Sequence, residues 1–217
     1  MRLVSKRTYR QYCGLAAALD VVGQRWALLI VRDLIPGPRR FTDLFDGLPG
    51  ISTDLLADRL RSLEAAGAVH QREVRTPAPA NLYELTERGR ELARMAGDLA
   101  RWGGPLLPPV DAAGDRVVNA RWTLTQRAGR YRGGFPDGDV HILLDQRDEL
   151  TLSFGGDRAR LAYGHQSADP IMVIEATTTA MLALVRGTPE DSADLGDDVI
   201  VAGRTDLLRQ LFHALNS

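Results

Sequence analysis

Between Arg39 and Leu85 the chain reads RRFTDLFDGLPGISTDLLADRLRSLEAAGAVHQREVRTPAPANLYEL, and no other stretch restricts the fold as tightly. Phe41, Leu44, Phe45 and Leu48 recur at three- and four-residue spacing, which predicts a short helix. Pro49-Gly50 stops it. Ser52 then stands where its hydroxyl can accept an unpaired backbone N–H of the following turn, and Asp54 suits the positive end of that helix's dipole. The helix runs to Ala66, with Gly67 as its stop. Leu55, Leu56, Leu60 and Leu63 make its inward face, while Thr53, Ala57, Asp58 and Arg61 fall outward. Val69–Arg75 and Leu82–Leu85 read as paired strands around the tip Thr76-Pro77-Ala78-Pro79.

A helix, a break, a capped helix and two short basic strands form the plan of a winged helix-turn-helix, which offers one helix to the major groove of double-stranded DNA. Upstream, Gln11–Val22 is expected as a small-residue helix closed by Gly23. Gln24–Ile35 is expected as a second, ended by Pro36-Gly37-Pro38 and buried because Trp26, Leu28, Leu29, Ile30 and Val31 nearly surround it. Downstream, Thr86 caps a helix reaching about Trp102, with Leu92, Met95, Leu99 and Trp102 along one stripe. That stripe and the first helix predict a partner subunit, hence a homodimer.

In such a docking the base edges meet Ser52, Thr53, Asp54, Ala57 and Asp58 at the start of the reading helix. Arg39, Arg40, Arg59 and Arg61 lie where phosphates flank it, and Arg72, Arg75 and Asn81 lie on the wing. The aspartates repel phosphates. Asp54 is expected to serve the helix cap and Asp58 to pair locally, with acceptance from cytosine N4 as the alternative.

The net charge of −1 hides a division. Residues 1–104 carry 16 Lys and Arg against 12 Asp and Glu, and residues 105–217 carry 11 against 16. The sign changes near Gly103-Gly104-Pro105 and Pro108-Pro109, so two domains are expected: 1–103 for DNA binding and dimerisation, a linker over 104–116, and 117–217. The second half changes period. Asp139–Leu144, Glu149–Phe154, Arg158–Tyr163, Ile171–Ala176 and Val199–Val201 read as strands, and Thr177–Val185 and Thr205–Leu215 as helices, giving an α+β domain with an antiparallel-rich sheet. No apolar run approaches the roughly 18 residues of a membrane span. The start lacks the apolar core of a secretory signal, and one cysteine suits a reducing compartment, so a cytoplasmic location away from membranes is expected.

The run from Tyr9 to about Gly103 resembles the HxlR-type winged helix-turn-helix regulators. The residues that carry the likeness are Cys13; Val22-Gly23-Gln24-Arg25-Trp26; Arg40, Phe41 and Leu44; Ile51, Ser52, Leu56, Arg59, Leu60, Leu63 and Gly67; and Tyr83, Leu85, Thr86 and Gly89. The resemblance implies a homodimer held by its first and last helices on a near-palindromic operator. It also implies Arg59 as a backbone contact and residues 53, 54 and 58 as readers. The family often carries basic or amide residues on the reading face, where this chain has aspartates, so an operator sequence does not carry over.

Residues 117–216 resemble, more weakly, the sterol-carrier-protein-like fold, on the strands above, the segment MLALVRG with Gly187, and Val199–Val201 running through Gly203 into Leu207–Leu215. That likeness implies an apolar small-molecule effector lined by Trp122, Phe154, Tyr163, Met172, Ile174, Met181, Leu184 and Leu208, and the expected regulator, a repressor, answers to it. Cys13 is a redox candidate, with Arg7, Arg10 and Arg25 as possible sources of thiolate character. A thiol switch with an inert second domain, and a lipid-binding protein with a vestigial DNA module, stand as alternatives. His70, His141, His165 and His213 are scattered, and no nucleophile or phosphate-loop motif occurs. No enzyme activity, cofactor or metal is expected.

Overall fold

The computed structural model describes residues 8–74, 80–107, 119–186 and 198–217. The chain divides into two units, Met1–Leu107 and Pro108–Ser217. The first contains α1 (Gly14–Val22), α2 (Ala27–Asp33), β1 (Arg39–Arg40), α3 (Phe41–Gly47), α4 (Thr53–Ala65), β2 (Val69–Val74), β3 (Ala80–Leu85) and α5 (Glu87–Gly103). Its antiparallel sheet has the order β1-β3-β2.

The cap on α4 forms as its sequence dictates: the Ser52 hydroxyl accepts the Leu55 N–H at 3.3 Å. Leu56, Leu60 and Leu63 then bury one face of α4 in a core with Ile30, Val31, Leu44, Val69 and Leu85. Thr86 caps α5 in the same way, its hydroxyl accepting the Gly89 N–H at 3.0 Å. At Gly89 a Cβ would lie 2.0 Å from the Ala68 carbonyl oxygen, so α5 seats directly on the connection between α4 and β2 only because no side chain intervenes.

α1 begins at Gly14 rather than Gln11, α2 ends at Asp33 rather than Ile35, and β3 begins at Ala80 rather than Leu82. Three further differences have a local reason. α2 begins at Ala27 rather than Gln24, because Trp26 takes a left-handed φ of 80° and breaks the line of the helix. α5 runs through Gly103 into a 3-10 turn over Gly104–Leu106, since Pro105 in a first turn gives up no needed N–H. Arg39–Arg40, expected only as phosphate contacts, form a strand that pairs with Tyr83 and Leu82.

The second unit contains α6 (Ala120–Ala128), β4 (Gly138–Leu144), β5 (Asp148–Gly155), β6 (Arg158–Tyr163), β7 (Met172–Ala176), α7 (Thr178–Arg186), β8 (Val199–Gly203) and α8 (Leu208–Asn216). Its sheet has the order β6-β5-β4-β7-β8, with β4 and β7 parallel and every other pair antiparallel. Alternation sends Val140, Ile142, Leu150, Leu152, Met172 and Ile174 to one face, where they share a core with Leu124, Met181, Val185, Leu211 and Phe212 of the helices. On the other face, residues 164–171 cross back from β6 to β7. The Thr151 hydroxyl donates to the Gly164 carbonyl at 2.6 Å and accepts the Gln166 N–H at 3.2 Å, holding this strap against the sheet. α6 carries no clear apolar signal; its buried positions are Ala120, Leu124 and Ala128, spaced four apart, and two of the three are alanine. Among the described residues no single helix is long and apolar enough to cross a membrane.

Candidate nucleic-acid interface

The outward face of α4 starts at its capped end. Ser52, Thr53, Asp54 and Asp58 are exposed, with Ala57 half-buried between them. The opposite face is leucine, so the direction in which this helix presents its polar groups follows from packing alone. Asp58 does pair locally, 2.6 Å from the Arg59 guanidinium and 3.5 Å from that of Arg61. Its charge is thus offset at the surface where a phosphate chain would pass. Arg61 reaches outward from that pair, its side chain 69% exposed.

Two of the expected phosphate contacts are placed otherwise. Arg39 and Arg40 are neighbours on a strand and point to opposite faces of the sheet, so only one of them can meet solvent. Arg39 lies level with Tyr83 and Gln71 on the face that carries Val69 and Leu85 into the core. Its side chain is 10% exposed and donates to the Asp43 carbonyl at 3.0 Å, which ties β1 to α3. Arg59 is also largely covered, at 14% exposure, and its Nε donates to the Arg25 carbonyl oxygen at 3.2 Å. These two arginines hold the unit together.

The other face of the sheet is the basic one. Arg40, Leu82 and Arg72 lie in one row across β1, β3 and β2, with His70 and Glu84 in the next row. Arg40 and Arg72 are exposed. Glu84 accepts from Arg72 Nε at 3.1 Å and lies 2.8 Å from His70 Nε2, so it orients both side chains. Asn81 is exposed but belongs to the opposite face of the wing from Arg72. Arg75 lies outside the described residues, as does the expected tip at residues 76–79. His70 joins the basic face through its pairing with Glu84; its two-residue spacing from Arg72 is the signal that would have found it.

Cys13 is exposed at the N-cap of α1. The backbone N–H groups of Ala16, and then Leu15, hold its thiol below the ordinary range, because the start of a helix favours a thiolate. The depression therefore comes from the helix rather than from arginines. Arg7 lies outside the described residues, and the Arg25 guanidinium sits 5.0 Å over the Trp26 ring.

In the second unit, Phe154, Met172, Ile174, Met181, Leu184 and Leu208 are buried core residues, Tyr163 packs against that core, and Trp122 is half-buried on α6. Phe154 is wedged between Tyr131 and Phe135, with ring centroids 5.0 and 4.6 Å away. A groove of about 210 Å³ opens elsewhere, and it is lined by Leu143, Asp145, Gln146, Glu175, Asp198 and Ile200 among others. Three carboxylates make it unlike an apolar ligand site. Two of the histidines expected to be scattered meet: His141 and His165 approach to 2.8 Å between their Nδ1 atoms, with Glu149 3.5 Å from His165 Nε2. Gly187 lies outside the described residues.

Comparison with known proteins covers the first unit. Residues 21–111 match the model of the HxlR-like helix-turn-helix. An uncharacterized HTH-type transcriptional regulator of Bacillus subtilis, YvaP, is 36% identical over 93 residues, which are 42% of this chain and 85% of that protein. The HTH-type transcriptional regulator YodB of the same organism is 34% identical over 96 residues, 44% of this chain and 85% of its own length. Among solved structures, the redox regulator HypR in its oxidized form is 32% identical, with a TM-score of 0.42, over 45% of this chain and all of that one. The match of residues 21–111 and the 36% identity over 85% of YvaP place the chain: through its first unit, it belongs to the HxlR-like helix-turn-helix family.

Proposed function

We propose that the chain is a homodimeric, sequence-specific DNA-binding transcriptional regulator, acting as a repressor, whose second unit takes an apolar effector. The observation that carries the DNA-binding part is the outward face of α4, which presents Ser52, Thr53, Asp54 and Asp58 with Arg61 exposed one turn further on. Base edges are read by the start of α4, while Arg40, Arg61 and Arg72 supply phosphate contacts. Dimerisation is supported by Met95, Leu99 and Trp102, which leave an apolar stripe of α5 uncovered. The apolar interior of the second unit, where Met172, Ile174 and Met181 are buried, favours an apolar effector over a charged one. Its side chains are packed, so a ligand enters only by rearranging them, and it regulates only by binding one state more tightly.

The test is a gel-shift of the full chain with the upstream region of its own gene, with and without cell lipid extract. A salt-sensitive, sequence-selective shift that the extract changes is the expected result. Binding that ignores sequence would count against the reading helix, and a shift indifferent to the extract against the effector.

A second reading, a thiol switch, is favoured by the exposure of Cys13 and the pull of the α1 N–H groups on its thiol. Under it, Cys13→Ser abolishes the response of DNA binding to oxidants or quinones; a preserved response removes it.

A further inference from the structure

We infer that Arg59 is a positioning residue, which sets the roll of α4 about its axis by gripping the Arg25 carbonyl and makes no phosphate contact. The inference rests on the DNA-reading role proposed above for α4. Leucine packing holds α4 at its depth in the core, but apolar contacts have little direction. A hydrogen bond does have direction, and the bond from Arg59 Nε to the Arg25 oxygen links α4 to a turn 34 residues earlier in the chain. Side-chain tips stand about 5–6 Å from a helix axis, so a roll of about 10° moves them by about 1 Å. That displacement is enough to lose a base-edge hydrogen bond, whose useful range spans only about 0.5 Å.

The acceptor is built for this purpose. The left-handed φ of Trp26 turns the peptide between Arg25 and Trp26 out of the line of α2. The Arg25 guanidinium stacks over the Trp26 ring, 5.0 Å from its centroid, and braces the turn. A left-handed tryptophan is a backbone outlier that persists only where its surroundings enforce it. At the other end, Asp58 lies 2.6 Å from the outer guanidinium nitrogen of Arg59 and leaves its Nε to the carbonyl. The side chain's 14% exposure leaves little of it to reach outward.

The test compares Arg59→Ala with Arg59→Gln in the full chain. The glutamine Nε2 stands at the same bond distance from the backbone as the arginine Nε, so this variant keeps the donor and removes the charge. Fluorescence anisotropy reads affinity, over a range of salt, for a duplex enriched by the wild-type chain from a random library and for its scrambled counterpart. Arg59→Ala is expected to lose about tenfold or more on the enriched duplex and little on the scrambled one, with an unchanged salt slope. Arg59→Gln is expected to keep discrimination near wild type. Equal losses on both duplexes, with a salt slope reduced by about 0.9 in both variants, mark a phosphate contact and overturn the inference. Intact discrimination in Arg59→Ala overturns it too. Should Arg59→Ala fail to fold, Arg59→Gln decides alone: affinity and salt slope both near wild type support the inference, and an equal loss on both duplexes with the slope reduced by about 0.9 overturns it. A wild-type chain that enriches no sequence removes the DNA-reading role itself, and the inference with it, whereas the other outcomes leave that role standing.

Discussion

The two units treat their apolar side chains in opposite ways. Among the described residues, every large apolar side chain that stands exposed, apart from Ile200, belongs to the first unit, including Tyr12, Leu15, Met95, Leu99, Trp102 and Leu106. In the second unit the sheet face, α6, α7 and α8 close over one interior. Exposed apolar surface of this extent is costly in water unless something covers it. The first unit thus leaves apolar surface open, which the proposed second copy would cover, while the described part of the second unit closes over its own interior. A signal reaching the second unit must open a packed interior, whereas one reaching the first meets open surface.

The sharpest way to break that contrast is Leu99→Glu with Trp102→Glu. Two carboxylates on the α5 stripe are expected to turn the dimer into a monomer in analytical ultracentrifugation. The loss of paired binding then lowers DNA affinity on the order of a hundredfold. A variant that stays dimeric would place the interface elsewhere. Next in size is Leu124→Ala, at a fully buried site on α6. It should destabilise the second unit by roughly 2–5 kcal/mol in urea denaturation and leave the dimer intact. A loss well below that range would mean an interior loose enough to admit a ligand without rearrangement. Ser52→Ala removes the α4 cap and should cost the first unit about 1 kcal/mol in the same measurement.

The smallest effect is a dependence on pH. Burial first, and then the facing His165, hold His141 below its ordinary value, while Asp139 and Glu149 pull the other way. The unfolded chain therefore takes up this proton more readily than the folded one. The stability tied to neutral His141 is complete above about pH 6.5 and falls as pH drops through the depressed value. Denaturation midpoints at about pH 5 and 7.5 should differ less in His141→Gln than in the wild type. An equal difference in both would assign the acid sensitivity to other groups.

What was legible in the sequence is what depends on near neighbours. The α4 cap, its leucine face and the Thr86 cap on α5 rest on residues within one or two turns of each other, and the structure carries all three. The strands of the second unit were equally plain, because alternation marks a sheet with one buried face. The failures involve partners distant in the chain or apolar signals too small to register. α6 turns two alanines and a single leucine inward. β1 is two residues long and exists only because β3 pairs with it. That pairing then decides which of two adjacent arginines faces the core. The bond of Arg59 leaves no trace in the sequence because its partner, the Arg25 carbonyl, is a backbone atom that no side-chain pattern announces. His141 and His165 meet only after the strap folds back across the sheet.

That strap also divides the sheet in time. β4, β5 and β6 follow one another as hairpins and can pair from their turns outward, on the order of microseconds each. β7 cannot join this way. To lie parallel to β4, with Met172 opposite Val140, the chain must first carry residues 164–171 across β5 and β4. Closing such a loop loses entropy before any contact compensates for it, so the arrival of β7 sets the pace. α7 and β8 follow β7 in the chain and add to its side of the sheet, so they complete the sheet last, and until then β4 stands as an open edge.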